Sequence, residues 1–381
     1  MADSITLTLL IGKVIPTPAP PELIDALQSV QVTTAVGRTS GFQLTFAAGR
    51  RSLINRVLLP AGYFDPPTRV VLVAVVKGTP HVLSDGIITQ HQVAPSTTPG
   101  SGTLTVTGED LTALMNLATQ WACFPAMGPA ARVARICAKY AVYGIAPIVI
   151  PPLQEEVRSP EDKIFLQSAT DLAYVQGLAA EAGYVFYLDP GPVPLTSRAY
   201  WGPEVRIGLP QPPLNVDMGP DTNVESLSFG FDGQSATQFS IQITEPNTKI
   251  TVSVPVPDIS VLRPPLAARP APALRQQPLP DTSKLSAVQA ALLGAGQTAQ
   301  LSDAVTGQGT LDVLRYGQVL KARGLVWVRG AGLAYDGLYY VTSVTSDLKR
   351  GQYKQSFSLG RGGLVSVPPA TIPRSLLQEA R

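Results

Sequence analysis

Few residues in this 381-residue chain are of types that do chemistry, and their spacing removes most of what they could do. The only histidines are His81 and His91, and the only cysteines Cys123 and Cys137. Both histidines fall in one strand-like region with no C-x-x-C nearby, so a tetrahedral metal site would lack its remaining ligands. The cysteines sit in Ala-rich, helix-like surroundings and read as small buried hydrophobes kept reduced. No G-x-S-x-G elbow occurs, and two histidines in the first β region give no basis for a Ser-His-Asp triad. The carboxylate pairs Glu155-Glu156 and Glu161-Asp162 lie in proline-bounded polar loops and read as solvated surface. Gly330-x-Gly332 and Gly360-x-Gly362-Gly363 match neither a P-loop nor a dinucleotide fingerprint and read as turn glycines. Arg50-Arg51 and Lys349-Arg350 are too few for a nucleic-acid stripe. Trp121, Trp201 and Trp327 are well separated and read as core or interface anchors. The expectation is a protein with no catalytic residues, no metal and no cofactor.

Bulk properties narrow the class further. Lys+Arg 29 against Asp+Glu 27 leaves a net charge of +2, which generates no field for nucleic acid or an anionic membrane. Neither a membrane nor sequence-specific nucleic acid is an expected partner. The most apolar run, Val70 to Val76, is far shorter than the roughly 20 residues of a spanning helix. The opening MADSITLTLL lacks a basic n-region and a small-residue cleavage site, so a soluble chain made without a signal peptide is expected. The 36 prolines and 33 glycines stay below the roughly 25–30% of a low-complexity chain. With 45% hydrophobic residues there is material for a sizeable core, and length suggests two or three domains.

The elements that would position any site follow from periodicity. Ser4 to Ile11, Phe42 to Phe46, Arg69 to Lys77, Gly86 to Val93 and Gly102 to Val106 read as strands, with a turn at Ser84-Asp85-Gly86. From Glu109 to Ala141 the pattern becomes helical: Leu111, Leu114, Met115 and Ala118 share one face, and a second helix is expected from about Pro129 to Tyr140. Ser168-Ala169-Thr170-Asp171 fits an S-x-x-D cap. Leu172, Val175, Leu178 and Ala179 form the stripe of the next helix, Gly183 its C′ residue, and Tyr184 to Leu188 a strand. Residues 222–254 return to β pattern. Pro255 to Pro280 holds eight prolines and reads as an extended, exposed connector. A short helix at about Lys284 to Leu293, a Gly/Gln/Thr-rich loop to Gly309, and strands at Leu325 to Val328, Gly337 to Val344 and Tyr353 to Leu359 complete the chain, before a tail at 368–381.

The succession of these segments carries a resemblance. Val106-Thr107-Gly108-Glu109-Asp110-Leu111-Thr112 leads from strand to helix, and Gln167 to Tyr187 gives a capped helix and strand. Ser197 to Pro203, then Tyr339 to Ser346 followed by Tyr353 to Leu359, continue the order. Together these resemble the phage late control gene D family, the central baseplate hub proteins of contractile tails. They are similar also to the hub portion of the valine-glycine repeat proteins of type VI secretion and of contractile injection systems.

The resemblance implies a mainly β fold with a helical insert (α+β), in which two similar antiparallel β-barrels form a pseudo-sixfold ring in a homotrimer. It places residues 1–108 and about 222–254 in the first barrel, 109–160 in the insert, and 161–221 and 311–367 in the second barrel. Residues 255–310 form the connector with its short helix. It implies a passive adaptor between the hexameric tail tube, or a tube-initiator ring, and a separate trimeric spike, with baseplate wedge proteins and a tape measure protein as further partners. Its location would be the baseplate of a virion tail or injection particle, assembled in the host or producer cytoplasm, with DNA or an effector passing through. A carbohydrate- or receptor-binding tail component and a tail-associated peptidoglycan hydrolase are the alternatives. Residues expected in fold and interface roles are Gly108, Asp110, Leu111, Asp171, Leu172, Leu178, Gly183, Tyr184, Phe186 and Trp201.

Overall fold

The computed structural model describes residues 5–98, 101–152, 164–235, 237–244, 251–255, 263–279, 294 and 303–367. Strict alternation makes the first strands: Phe42, Leu44 and Phe46 are buried while Gln43 and Thr45 face the other way, the period-two pattern of a half-buried sheet. In chain order come β1 (Ile5–Gly12), β2 (Thr17–Pro18), α1 (Pro21–Ala26), β3 (Leu27–Ala35), β4 (Gly41–Ala47), β5 (Arg69–Val76), β6 (Thr79–Ala94) and β7 (Thr103–Asp110). An insert follows with α2 (Thr112–Met115), β8 (Thr119–Phe124), α3 (Pro129–Ala138), β9 (Ile145–Val149), β10 (Phe165–Thr170), α4 (Asp171–Ala182), β11 (Val185–Pro190) and β12 (Ser197–Gly202). The return begins with β13 (Gln211–Asn215), β14 (Val224–Phe231), β15 (Thr237–Thr244), β16 (Thr251–Pro255), β17 (Ala267–Pro270) and β18 (Arg275–Pro278). It ends with β19 (Val305–Asp312), α5 (Val313–Tyr316), β20 (Leu325–Arg329), β21 (Gly337–Lys349), β22 (Gln352–Arg361) and β23 (Gly363–Ser366). The fold is mainly β with antiparallel sheets.

Thirteen strands form one sheet in the order β14-β19-β22-β21-β3-β4-β7-β6-β5-β1-β2, with β20 also on β21 and β13 on β20. The long β21 makes this continuity possible. Its register shifts between Val341 and Ser343; residues before the shift pair with β20 and residues from Ser343 onward pair with β3. A bulge bends a strand in this way and lets it serve two neighbours. One apolar core, including Phe46, Phe64, Tyr339 and Tyr353, lies under both halves of the sheet. A second, including Leu111, Val133, Ile136, Val175 and Trp201, belongs to the insert, which therefore takes in α4, β11 and β12, expected in the second barrel, while β14, expected with the first, pairs with β19.

Several expectations need correction. The turn between β5 and β6 is Lys77-Gly78, both at positive φ, as a two-residue hairpin requires. Ser84-Asp85-Gly86 instead runs inside β6, where a Cβ on Gly86 would stand 2.0 Å from the Glu109 carbonyl oxygen, so its glycine admits β7. Between 109 and 141, α2 is only four residues long and Thr119–Phe124 is a strand paired with β10; tertiary pairing overrides an Ala/Leu-rich composition there. Cys123 is accordingly exposed on β8, while Cys137 is buried in α3. The helix cap is Thr170, whose hydroxyl accepts from the Ala173 amide at 3.2 Å; Ser168 lies in β10. β3 is an additional strand. The stretch through Gly307 and Gly309 is the strand β19, and Gly360 and Gly363 lie in strands too. Within Pro255 to Pro280, β17 pairs with β23 and β18 with β15, and Leu266 and Leu279 are buried, so its described part is extended but docked. The expected helix at 284–293 and the tail at 368–381 lie outside the described residues, as do the two carboxylate pairs at 155–156 and 161–162.

Candidate functional site

The residues singled out in the sequence divide between the insert core and one cavity. Helix α4 starts with Asp171 in its first turn, where the exposed amides of a helix N-terminus favour a carboxylate. Asp171 is buried and accepts from Lys139 Nζ at 3.1 Å, Tyr140 Oη at 2.9 Å and Gln167 Nε2 at 2.6 Å, fastening α3 and β10 to α4. Burial, with the Asp171 charge nearby, pushes the Cys137 thiol up to about 11, so it stays protonated as a core residue. At the other end Gly183 takes φ +67°, and the Tyr184 amide returns to the Ala179 carbonyl at 2.7 Å, a Schellman-type ending. Leu172 packs at the edge of the insert core; Leu111 and Leu178 lie inside it. Trp201 is fully buried, donates Nε1–H to the Val175 carbonyl at 3.4 Å, and meets Tyr184 edge-on with ring centroids 4.9 Å apart.

Gly108 and Asp110 carry β7 into the insert. A Cβ at Gly108 would lie 2.4 Å from the Ile87 carbonyl oxygen and 2.2 Å from the Phe42 ring, so no larger residue fits without moving backbone. The Asp110 carboxylate accepts from the Thr112 amide at 2.9 Å and from the Thr112 hydroxyl. Burial outweighs these bonds and pushes its carboxyl above the usual range.

Asp110, Gly183, Tyr184 and Phe186 converge on a cavity of about 810 Å³ between the insert and the large sheet. Its other wall was not foreseen. Arg206 grips Asp303 through two bonds of 2.7 and 2.8 Å and approaches Glu204 at 3.4 Å. Arg263 joins Glu204 at 3.3 Å and Asp303 at 3.8 Å. Arg206 also lies over the Tyr340 ring and Arg323 over Tyr187, at 4.5 and 4.2 Å from the centroids. Two arginines and two carboxylates balance, and each acid is already engaged. Among the described residues no group of three His, Cys, Asp or Glu could hold a metal, and no helix is long and apolar enough to cross a membrane. The arrangement is a polar joint. No local motif announces it, because its members are spread from residue 204 to residue 303 and meet only in the fold.

A second joint lies between the same two bodies. Arg69, on β5, binds Asp85 at 2.8 and 2.6 Å and the Tyr143 carbonyl of the insert at 2.8 Å. The Ser197 hydroxyl reaches Asp85 at 3.4 Å. Burial raises the Asp85 carboxyl despite the arginine.

This architecture is similar to that of phage tail proteins and of a component of the type VI secretion system. The 43 kDa tail protein of prophage MuSo2 from Shewanella oneidensis superposes with a TM-score of 0.64 at 14% identity, over 94% of this chain and 99% of that one. A tail protein of Neisseria meningitidis gives 0.60 at 13% identity, over 95% and 98%. An Escherichia coli component of the type VI secretion system, described as structurally similar to tail proteins of bacteriophage T4, gives 0.50 at 12% identity, over 91% and 77%. At these identities the shared property is the fold. No protein-family model and no curated protein matches the chain.

Proposed function

We propose that this chain is the structural baseplate hub of a contractile phage tail or of a related injection system. The observation that carries the reading is a single sheet built of a seven-strand run, β1 to β7, and a six-strand run, β13, β14 and β19 to β22, joined through β3 and β21, in a fold that spans nearly the whole length of two tail proteins. Each run is read as a barrel. In the second, the Asn223 amide donates to the Asn215 carbonyl at 3.1 Å and the Asn215 amide to Asn223 Oδ1 at 2.8 Å, drawing β14 toward β13. Three copies then offer a pseudo-sixfold face to a hexameric tail tube or initiator ring and a threefold face to a trimeric spike, with wedge and tape measure proteins around them. Closed symmetry of this kind leaves no surface for open-ended growth, and pairing between subunits covers strand edges. The buried polar joints suit a rigid, passive adaptor driven forward with the tube. Its place is the baseplate of a virion tail or injection particle.

Negative-stain electron microscopy of the purified chain tests this. Class averages should show a threefold ring with six lobes around a central hole; isolated particles with no ring at any protein concentration contradict it.

A further inference from the structure

Two neighbouring rungs on the outward face of the large sheet carry no charge, and strand register defines them. One rung runs Ser226, Thr310, Ser356, Thr345 and Thr33 across β14, β19, β22, β21 and β3. Its hydroxyls meet, Ser226 with Thr310 at 2.8 Å and Thr345 with Thr33 at 3.1 Å. The next rung is Ser228, Gln308, Ser358 and Ser343. Past β3 the face continues as Gln31, Gln43, Thr107 and Gln90 over β4, β7 and β6. The charges of the face are Glu109, Lys349, Glu225 and the rung of Asp347, Lys354 and Asp312, whose signs alternate. Lys354 there pairs with Glu225 at 2.7 Å, and Asp312 caps α5. Over β14, β19, β22 and β21 the face is concave, an open trough of about 420 Å³ walled by hydroxyls.

A face needed only for solubility carries interspersed lysine and glutamate. The centre of a protein interface carries aromatic and aliphatic anchors. The two uncharged rungs have neither. Hydroxyls and amides hold water, and the two lysines of the face are outnumbered by Glu109, Glu225, Asp312 and Asp347, so a polyanion meets no excess of cations with which to release its counterions, the step that drives non-specific retention of nucleic acid.

We propose that this hydroxyl-and-amide face is the wall of the conduit in the assembled hub, and that it lets a polyanion pass without holding it. The proposal rests on the hub reading above. It is tested with Ser228→Cys and Ser356→Cys, each in a Cys123→Ser background, because Cys123 is exposed and Cys137 buried. Labelling by N-ethylmaleimide and by a maleimide on a long polyethylene glycol chain is compared between the assembled ring and the urea-unfolded chain. In a ring of confirmed trimer mass the small reagent should label both positions, with loss of labelling by the large one. Free labelling by both reagents places the face on the outside and overturns the proposal; protection from both places it in a protein contact and overturns it too. A chain that forms no trimer fails the hub reading itself, which the mass shows independently of labelling. A second arm uses Ser228→Lys with Ser358→Lys: the variant ring should gain salt-sensitive retention of a double-stranded oligonucleotide that the parent ring lets pass, and equal retention by the parent ring overturns the proposal.

Discussion

Arg69 and Asp85 form a buried two-bond ion pair, 2.8 and 2.6 Å, from which the arginine also reaches the insert at the Tyr143 carbonyl. The pair therefore joins the sheet to the insert as well as β5 to β6. Arg69→Met leaves Asp85 buried without a counter-ion and should cost about 3–5 kcal/mol in urea unfolding, whereas Arg69→Met with Asp85→Leu should recover most of it. A single-variant loss of about 0–1 kcal/mol, the value of a surface pair, contradicts this.

Asp110 gives a pH dependence with a defined sign. Burial raises its carboxyl above the ordinary value of 3.8, so the fold favours the protonated form. Its stabilising contribution is fully present below that ordinary value and is lost as pH rises through the raised one. The stability of the parent chain minus that of Asp110→Asn, at matched protein concentration, should therefore fall as pH rises through the carboxylate range and then level off. A difference that grows with pH contradicts the assignment.

Two glycines should behave differently. Gly183 sits at φ +67°, so Gly183→Ala should cost about 1–2 kcal/mol. At Gly108 the constraint is space, with the Ile87 carbonyl and the Phe42 ring in the way, so Gly108→Ala should yield little folded protein. Soluble yield and urea midpoints of the two variants check the order, and equal losses would count against it.

Arg361 is completely buried, and its guanidinium donates to the carbonyls of Gly363, Asp336 and Ala334 at 2.8, 2.9 and 2.7 Å. These bonds fix the turn that holds Leu333 out in solvent, 91% exposed. Arg361→Met removes all three bonds; the Ala334 carbonyl keeps the Val365 amide at 3.0 Å, and loss of the bonds to Gly363 and Asp336 should cost about 1–3 kcal/mol each. The substitution should speed amide exchange at Tyr335 and Asp336, which donate to Gly332; unchanged exchange there sinks the idea.

How much of this was legible depends on where each signal lives. Strands such as β4 and β7, and the helices α3 and α4, could be read because alternation, an apolar stripe and a C-terminal glycine are local. β3 alternates as clearly, with Val30 and Val32 buried and Gln31 outside, but it follows α1 directly at Ala26–Leu27 without a turn residue to mark it. β8 misled because its Ala-rich surroundings suit a helix, and only its pairing with distant β10 makes it a strand. The sequence brought Asp110, Gly183, Tyr184 and Phe186 to notice through caps and turns. Arg206, Arg263, Glu204 and Asp303 gave no local sign, since a buried ion network needs only that its members meet after folding. The conduit face was hidden in the same way: each strand shows its own serines and threonines, but only register reveals that they form shared rungs.

The most direct measurement of the central claim is the oligomeric mass of the purified chain by mass photometry, alone and mixed with candidate spike and tube proteins. A hub should be a trimer alone and form a larger stoichiometric complex with each partner. A stable monomer that binds neither would contradict that claim.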